Sequence, residues 1–173
     1  MLQNYCNDLV PISKGKNSSI CPLFEKSGES TFVVKLVNET KTSEVQSLGC
    51  EVLATQHIRE KTSDLSFIAH VEESGKTSLP DPEKPSQMIN YHYLIYRRLD
   101  EDLLSFLNRN MKKQFLLNAR ELDLYIRYLV TNLARKYHLI HSMRLVHLEI
   151  KIDNCLFDLR HKDWVLADFG DST

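Results

Sequence analysis

The chain has 173 residues, with 22 Lys and Arg against 23 Asp and Glu and a formal net charge of -1. A length of this order suits one domain, or one and a half lobes of a larger one, and buries roughly two-thirds of the surface its unfolded form exposes, so a real core is available. The even charge, with no basic block, gives no sign of nucleic acid or an anionic membrane as an electrostatic partner, and no stretch approaches the ~20 apolar residues of a membrane span.

Residues 1–30 are polar and interrupted by Gly and Ser, with short apolar pieces at Leu9, Val10 and Ile12 and at Ile20, Leu23 and Phe24 that suit hairpin strands. "TFVVKLV" at 31–37 is β-branched and aromatic around one lysine, a strand pattern. Ser43 followed by Gln46 has the form of a capping box, and Val45, Leu48, Val52 and Ile58 keep helical spacing to about residue 60. "SFIAHVEES" (66–74) and "YHYLIYRRL" (91–99) read as strands, and "GKTSLPDPEKPSQ" between them, rich in Pro, Ser and charge, reads as a surface loop. "DEDLLSFLNRN" is a short amphipathic helix with acidic residues in its first turn. In "ELDLYIRYLVTNLARKYHLIHSM", Leu122, Ile126, Leu129, Val130, Leu133, Tyr137 and Ile140 step by three and four, the pattern of a long helix. Two short strands, "CLFD" and "DWVLA", follow around "LRHK", and "DFGDST" comes last. This order of strands, helix, strands, long helix, polar loop and hairpin is an α+β outline.

Between the long helix and the hairpin lies "LVHLEIKIDNCLFD" (145–158), where His147, Glu149, Lys151, Asp153 and Asn154 fall within eight positions. Asn154 offers a carbonyl oxygen to a hard cation, Asp168 a carboxylate, and Lys151 a positive charge that neutralises phosphate. These are the groups phosphoryl transfer needs, although a hydrogen-bonded turn uses the same residue types. The four cysteines, Cys6, Cys21, Cys50 and Cys155, are scattered with no C-x-x-C pair. They read as reduced thiols in an intracellular, cytoplasmic compartment, that of a host cell if the protein is a secreted effector.

"HLEIKIDN" followed by "DFG" resembles the catalytic loop and metal-binding motif of eukaryotic-type protein kinases, H-R-D-x-K-x-x-N and D-F-G. His147, Lys151, Asn154, Asp168, Phe169 and Gly170 fall on matching positions. Upstream, "VVKL" resembles the V-A-I-K strand and makes Lys35 the lysine for the α- and β-phosphates, with Glu51 in the next helix its ion-pair partner and Glu44 the fallback. "YLIYRRLDEDLLSFL" resembles the strand, hinge and helix of the adenine pocket, which implies roles there for Tyr96, Arg97 and Leu99. The resemblance implies a bilobal protein-kinase-like fold, a small β-rich N-lobe (1–99) and a reduced helical C-lobe (100–173), that binds ATP and Mg²⁺. Asp168 and Asn154 would be the metal ligands, Lys151 would reach the γ-phosphate, and His147 would be architectural. A reduced C-lobe is similar to the minimal effector kinases of pathogenic bacteria, and an altered catalytic loop to the rhoptry kinases of apicomplexan parasites.

Three departures bear on activity. Glu149 stands where the family has its catalytic Asp, and the extra methylene moves the carboxylate by ~1.5 Å, while ~1 Å of misplacement can cost a hundredfold in rate. If "SKGKNSSI" (13–20) is the phosphate-covering loop, only Gly15 keeps a family glycine, and Ser13 and Ser18 replace the outer two. The activation segment, A-P-E motif and later helices that follow D-F-G in ordinary kinases have no counterpart in the sequence, so the long helix is expected to expose an apolar face, close on itself or meet a partner. The expectation is an ATP- and Mg²⁺-dependent serine/threonine protein kinase of minimal size acting on a protein substrate with a regulatory protein partner. The alternative is a pseudokinase scaffold. A small-molecule kinase fits less well, because that group carries a D-x-D-like motif in place of D-F-G.

Overall fold

A computed structural model of the chain describes residues 10–14, 18–24, 30–81, 84–113 and 119–173. They form an α+β structure with antiparallel sheets, divided into two compact units. The first comprises residues up to Thr55 together with His70–Arg98, and the second Gln56–Ala69 with Leu99–Thr173.

The first unit is built on strands β1 (Ser13–Lys14), β2 (Ser18–Leu23), β3 (Phe32–Asn38), β4 (Val71–Pro80) and β5 (Met88–Arg97), in the order β1-β2-β3-β5-β4. Successive strand residues point to opposite faces, and the core divides accordingly. Val34 and Leu36 pack with Cys21, Leu23, Tyr93 and Ile95. Val37 packs with Leu94, Val71 and Leu48, the last from helix α1 (Thr42–Lys61). Lys35 shares the parity of Val33 and Val37, so it points to the α1 face. In the β3–β5 register Lys35 lies opposite Leu94 and Val33 opposite Tyr96, which makes Lys35 and Tyr96 diagonal neighbours on that face.

Three expectations change here. Helix α1 begins at Thr42, so Ser43 sits inside its first turn and donates to Glu44 Oε2 at 2.6 Å, and is not an N-cap. The expected loop of 75–87 begins as strand: β4 runs on to Pro80, pairing Lys76 with His92 and Pro80 with Met88. Its composition misleads because β4 is an edge strand, where exposed Ser and Lys and a terminal Pro are tolerated. Gly75 is required by the strand itself, since a Cβ there would stand 2.8 Å from the Tyr93 hydroxyl oxygen. The apolar run from Ser66 also divides. Phe67 and Ala69 exchange backbone bonds with Leu166 in the second unit (3.0 and 2.7 Å), and only from Val71 does the chain join β4.

The second unit holds β6 (Glu101–Asp102), α2 (Leu103–Lys113), α3 (Ala119–Ser142), a 3-10 turn (Ile152–Asn154), β7 (Cys155–Asp158) and β8 (Asp163–Leu166), with a sheet of order β6-β7-β8. The acidic residues before α2 are not in its first turn. Glu101 and Asp102 pair with β7, and Asp102 Oδ1 accepts from the Ser105 N–H at 2.7 Å, capping the helix. Trp164 and Leu103 are almost wholly buried, and Phe106 meets the Trp164 ring edge-on at 5.3 Å. On α3 Leu129 and Ile140 are buried, whereas Leu124, Ile126, Tyr128 and Val130 face solvent. Among the described residues no helix is long and apolar enough to cross a membrane.

Candidate functional site

In the first unit, the diagonal placement of Lys35 and Tyr96 meets a carboxylate from α1. Buried positions on α1 step by three and four through Leu48, Glu51 and Thr55, so Glu51 is carried into the core with only 3% of its surface exposed. Burying a carboxylate without partners is costly, and here both oxygens are engaged. Lys35 Nζ donates to Oε1 and the Tyr96 hydroxyl to Oε2. The fallback partner Glu44 lies in the first turn of α1 and accepts from Ser43. Ser18 opens β2 opposite Val37, two positions along from Ile20, which faces Lys35 across the ladder. Arg97 ends β5 exposed, and Gly15 lies outside the described residues.

In the second unit, the loop after α3 turns two of its polar side chains inward. His147 is fully buried and Asn154 nearly so, while Leu148, Ile150 and Ile152 face solvent. His147 Nε2 donates to the Ala167 carbonyl at 2.9 Å, and its ring lies against Phe169, centroids 4.6 Å apart. Nδ1 is buried with no hydrogen-bond partner among the described residues, and burial holds the imidazole below its usual pKa, which favours the neutral ring. That is an architectural role.

Asn154, at the end of the 3-10 turn, ties the loop to the hairpin. Its carbonyl accepts from the Ala167 N–H at 2.9 Å, and its Nδ2 donates to the Glu149 carbonyl (3.1 Å) and to Glu149 Oε2 (3.2 Å). Lys151 Nζ donates to Glu149 Oε1, and this bond raises the Lys151 pKa. Glu149, Lys151 and Asn154 are therefore one hydrogen-bonded set. Asp168 follows at once on Ala167, and its carboxylate acts electrostatically on both His147 and Lys151. Leu148 (φ 56°) and Asp168 (φ 65°) hold left-handed backbone, a conformation that costs a non-glycine residue about 1 kcal/mol or more and concentrates at functional sites. Leu99 begins the second unit, half-buried.

No family model matches the sequence, and no curated protein matches it.

Among the described residues no group of three or more His, Cys, Asp and Glu is placed to hold a metal ion alone. Mg²⁺ asks for less: one or two carboxylates, completed by phosphate oxygens and water. Asp168 supplies a carboxylate. With its amide N–H turned to Glu149, Asn154 keeps carbonyl Oδ1 as an acceptor of the kind a hard cation takes. The donor types fit the ion.

Two features escaped the sequence reading. Tyr96 was expected in an adenine pocket, and its bond to Glu51 depends on strand register, which no local pattern encodes. Lys136, on the expected apolar stripe of α3, is buried and donates to Asp163 Oδ2, while Asn132 donates to Oδ1 at 2.8 Å. A lysine two turns from Leu129 and one turn from Leu133 was the available signal.

Proposed function

We propose that this chain is a minimal protein kinase that uses ATP and Mg²⁺ to phosphorylate serine or threonine in a protein substrate, within a reduced bilobal kinase-like fold. The observation that carries the reading is the Lys35–Glu51 pair: a buried helix carboxylate engaged by a strand lysine 16 residues earlier, with the resembling loop and D-F-G motif in the same chain. In this reading Lys35 holds the α- and β-phosphates and Asp168 and Asn154 hold Mg²⁺, which neutralises charge on the transferred phosphoryl group. Lys151 contacts the γ-phosphate and Glu149 orients the attacking hydroxyl, and Arg97 and Leu99 border the adenine. Phosphoryl transfer rests mainly on such positioning and charge neutralisation.

One observation favours a second reading, a pseudokinase scaffold that binds nucleotide or a protein partner without catalysis. Both Glu149 carboxylate oxygens are already engaged, by Lys151 and Asn154. Transfer of radiolabel from γ-labelled ATP to a generic protein substrate, absent in Lys35→Ala and Asp168→Ala, supports the kinase. Nucleotide binding with no transfer supports the scaffold, and label that persists in both variants is contamination.

A further inference from the structure

The Lys35–Glu51 pair has a third member. On the α1 side of the sheet Lys35 and Tyr96 reach the same carboxylate from adjacent strands, the ammonium on Oε1 and the phenol on Oε2. Register fixes this arrangement. Val33 and Tyr96 are Cα partners, Lys35 is two residues on from Val33, and so both side chains emerge on one face one diagonal apart. Glu51 is buried, and Tyr96 also packs against the cluster of Val37, Leu48, Val71 and Leu94, which holds its ring in place.

A lone ammonium on a two-oxygen carboxylate leaves the carboxylate free to rotate about its last bond, and Lys35 would follow it. A second donor on the other oxygen removes that rotation. Hydrogen bonds to charged groups are the stronger kind, and the rigid ring presents its hydroxyl with little rotamer freedom to lose.

We infer that Tyr96 is a positioning residue, whose hydroxyl fixes the Glu51 carboxylate and through it the direction in which Lys35 presents its ammonium to a polyphosphate. This rests on the nucleotide-binding reading above. It differs from the adenine-pocket role expected of Tyr96 in which part of the ligand responds: positioning through Lys35 acts on phosphate, whereas a pocket wall acts on the base.

The test is calorimetric titration of wild type and Tyr96→Phe with MgATP and, separately, with adenosine, which has no phosphates for Lys35 to contact. Tyr96→Phe is expected to weaken MgATP about tenfold, the scale of one hydrogen bond to a charged group, and to leave adenosine unchanged. Equal weakening of both, or of neither, overturns the inference. In parallel, NMR detection of the Lys35 ammonium follows its protons without any nucleotide. They should exchange slowly with water in the wild type, together with the Tyr96 hydroxyl proton, and rapidly in Tyr96→Phe. If the wild type binds neither ligand, the nucleotide reading fails and the ammonium signal alone decides the role of Tyr96. If Tyr96→Phe does not fold, rapid exchange of the wild-type Tyr96 hydroxyl proton overturns the inference, and slow exchange supports it.

Discussion

Glu149 and Asn154 hold each other across the polar loop, the Asn154 amide donating at 3.1 Å to the Glu149 carbonyl and at 3.2 Å to its carboxylate. The backbone bond does not depend on the side chain at position 149, but the carboxylate bond does. Glu149→Asp withdraws the carboxylate by about one bond length, ~1.5 Å, from the Asn154 amide. If the glutamate limits an active kinase, phosphoryl transfer should rise, by up to about a hundredfold, in a steady-state assay. An unchanged rate with nucleotide still bound favours the scaffold.

Lys35 and Glu51 should be energetically coupled. Glu51 is 3% exposed, and removing its cation leaves a buried carboxylate with one fewer partner, so Lys35→Met is expected to destabilise the fold by about 3 kcal/mol. The double variant Lys35→Met/Glu51→Gln removes the charge as well and should recover more than half of that loss. Urea denaturation of the four proteins of the cycle measures it, and additive losses would deny the coupling.

His147 gives the fold an acid-sensitive point. Burial holds its folded pKa below the ordinary 6.5, so on acidification the unfolded chain takes up the proton first. Stability conferred by the neutral ring is therefore complete above about pH 6.5 and is lost below it, at no more than about 1.4 kcal/mol per pH unit, until the folded pKa is reached. Urea midpoints at pH 7.5 and 5.5 should fall further in the wild type than in His147→Gln, which retains an N–H donor for Ala167. Identical slopes would remove His147 from the account.

The Lys136–Asp163 contact is a structural ion pair. Lys136 is nearly buried, and Asp163 is held below the usual carboxylate pKa: burial pushes it up, but the bonds from Lys136, the Trp164 N–H and Asn132 together outweigh that. Lys136→Met fills similar space but leaves the carboxylate without its cation. A loss of about 1–3 kcal/mol is expected, because Asp163 is partly exposed and regains water. Thermal denaturation of Lys136→Met beside Lys136→Met/Asp163→Asn checks it, with the double variant the more stable of the two.

Legibility in the sequence followed the range of the interactions. Strand β3, helices α1 and α3 and the hairpin β7–β8 could be read because period and turn residues within each segment specify them. The extension of β4 could not, since an edge strand tolerates the same Ser, Lys and Pro as a loop, and its pairing is decided across the sheet. The polar loop announced its residues but not their direction. The sequence alternates apolar and polar there, and the chain turns His147 and Asn154 inward and leaves Leu148, Ile150 and Ile152 in solvent, the reverse of the usual assignment. Left-handed backbone at Leu148 and Asp168 accompanies that reversal. The Lys35–Glu51 spacing could be read by resemblance, but the Tyr96 hydroxyl on the same carboxylate required the strand register.

The proposed nucleotide-binding function, to which Lys35 and Asp168 are both assigned, is tested most directly by thermal-shift titration with ATP and Mg²⁺ of the wild type, Lys35→Met, Asp168→Asn and the double variant. Ligand at about 100 times Kd should stabilise the wild type by ~2.7 kcal/mol. Each single variant is expected to lose most of that gain and the double variant little more, since two groups acting on one ligand are not additive. No stabilisation of the wild type, or a full gain surviving in both single variants, would contradict the account.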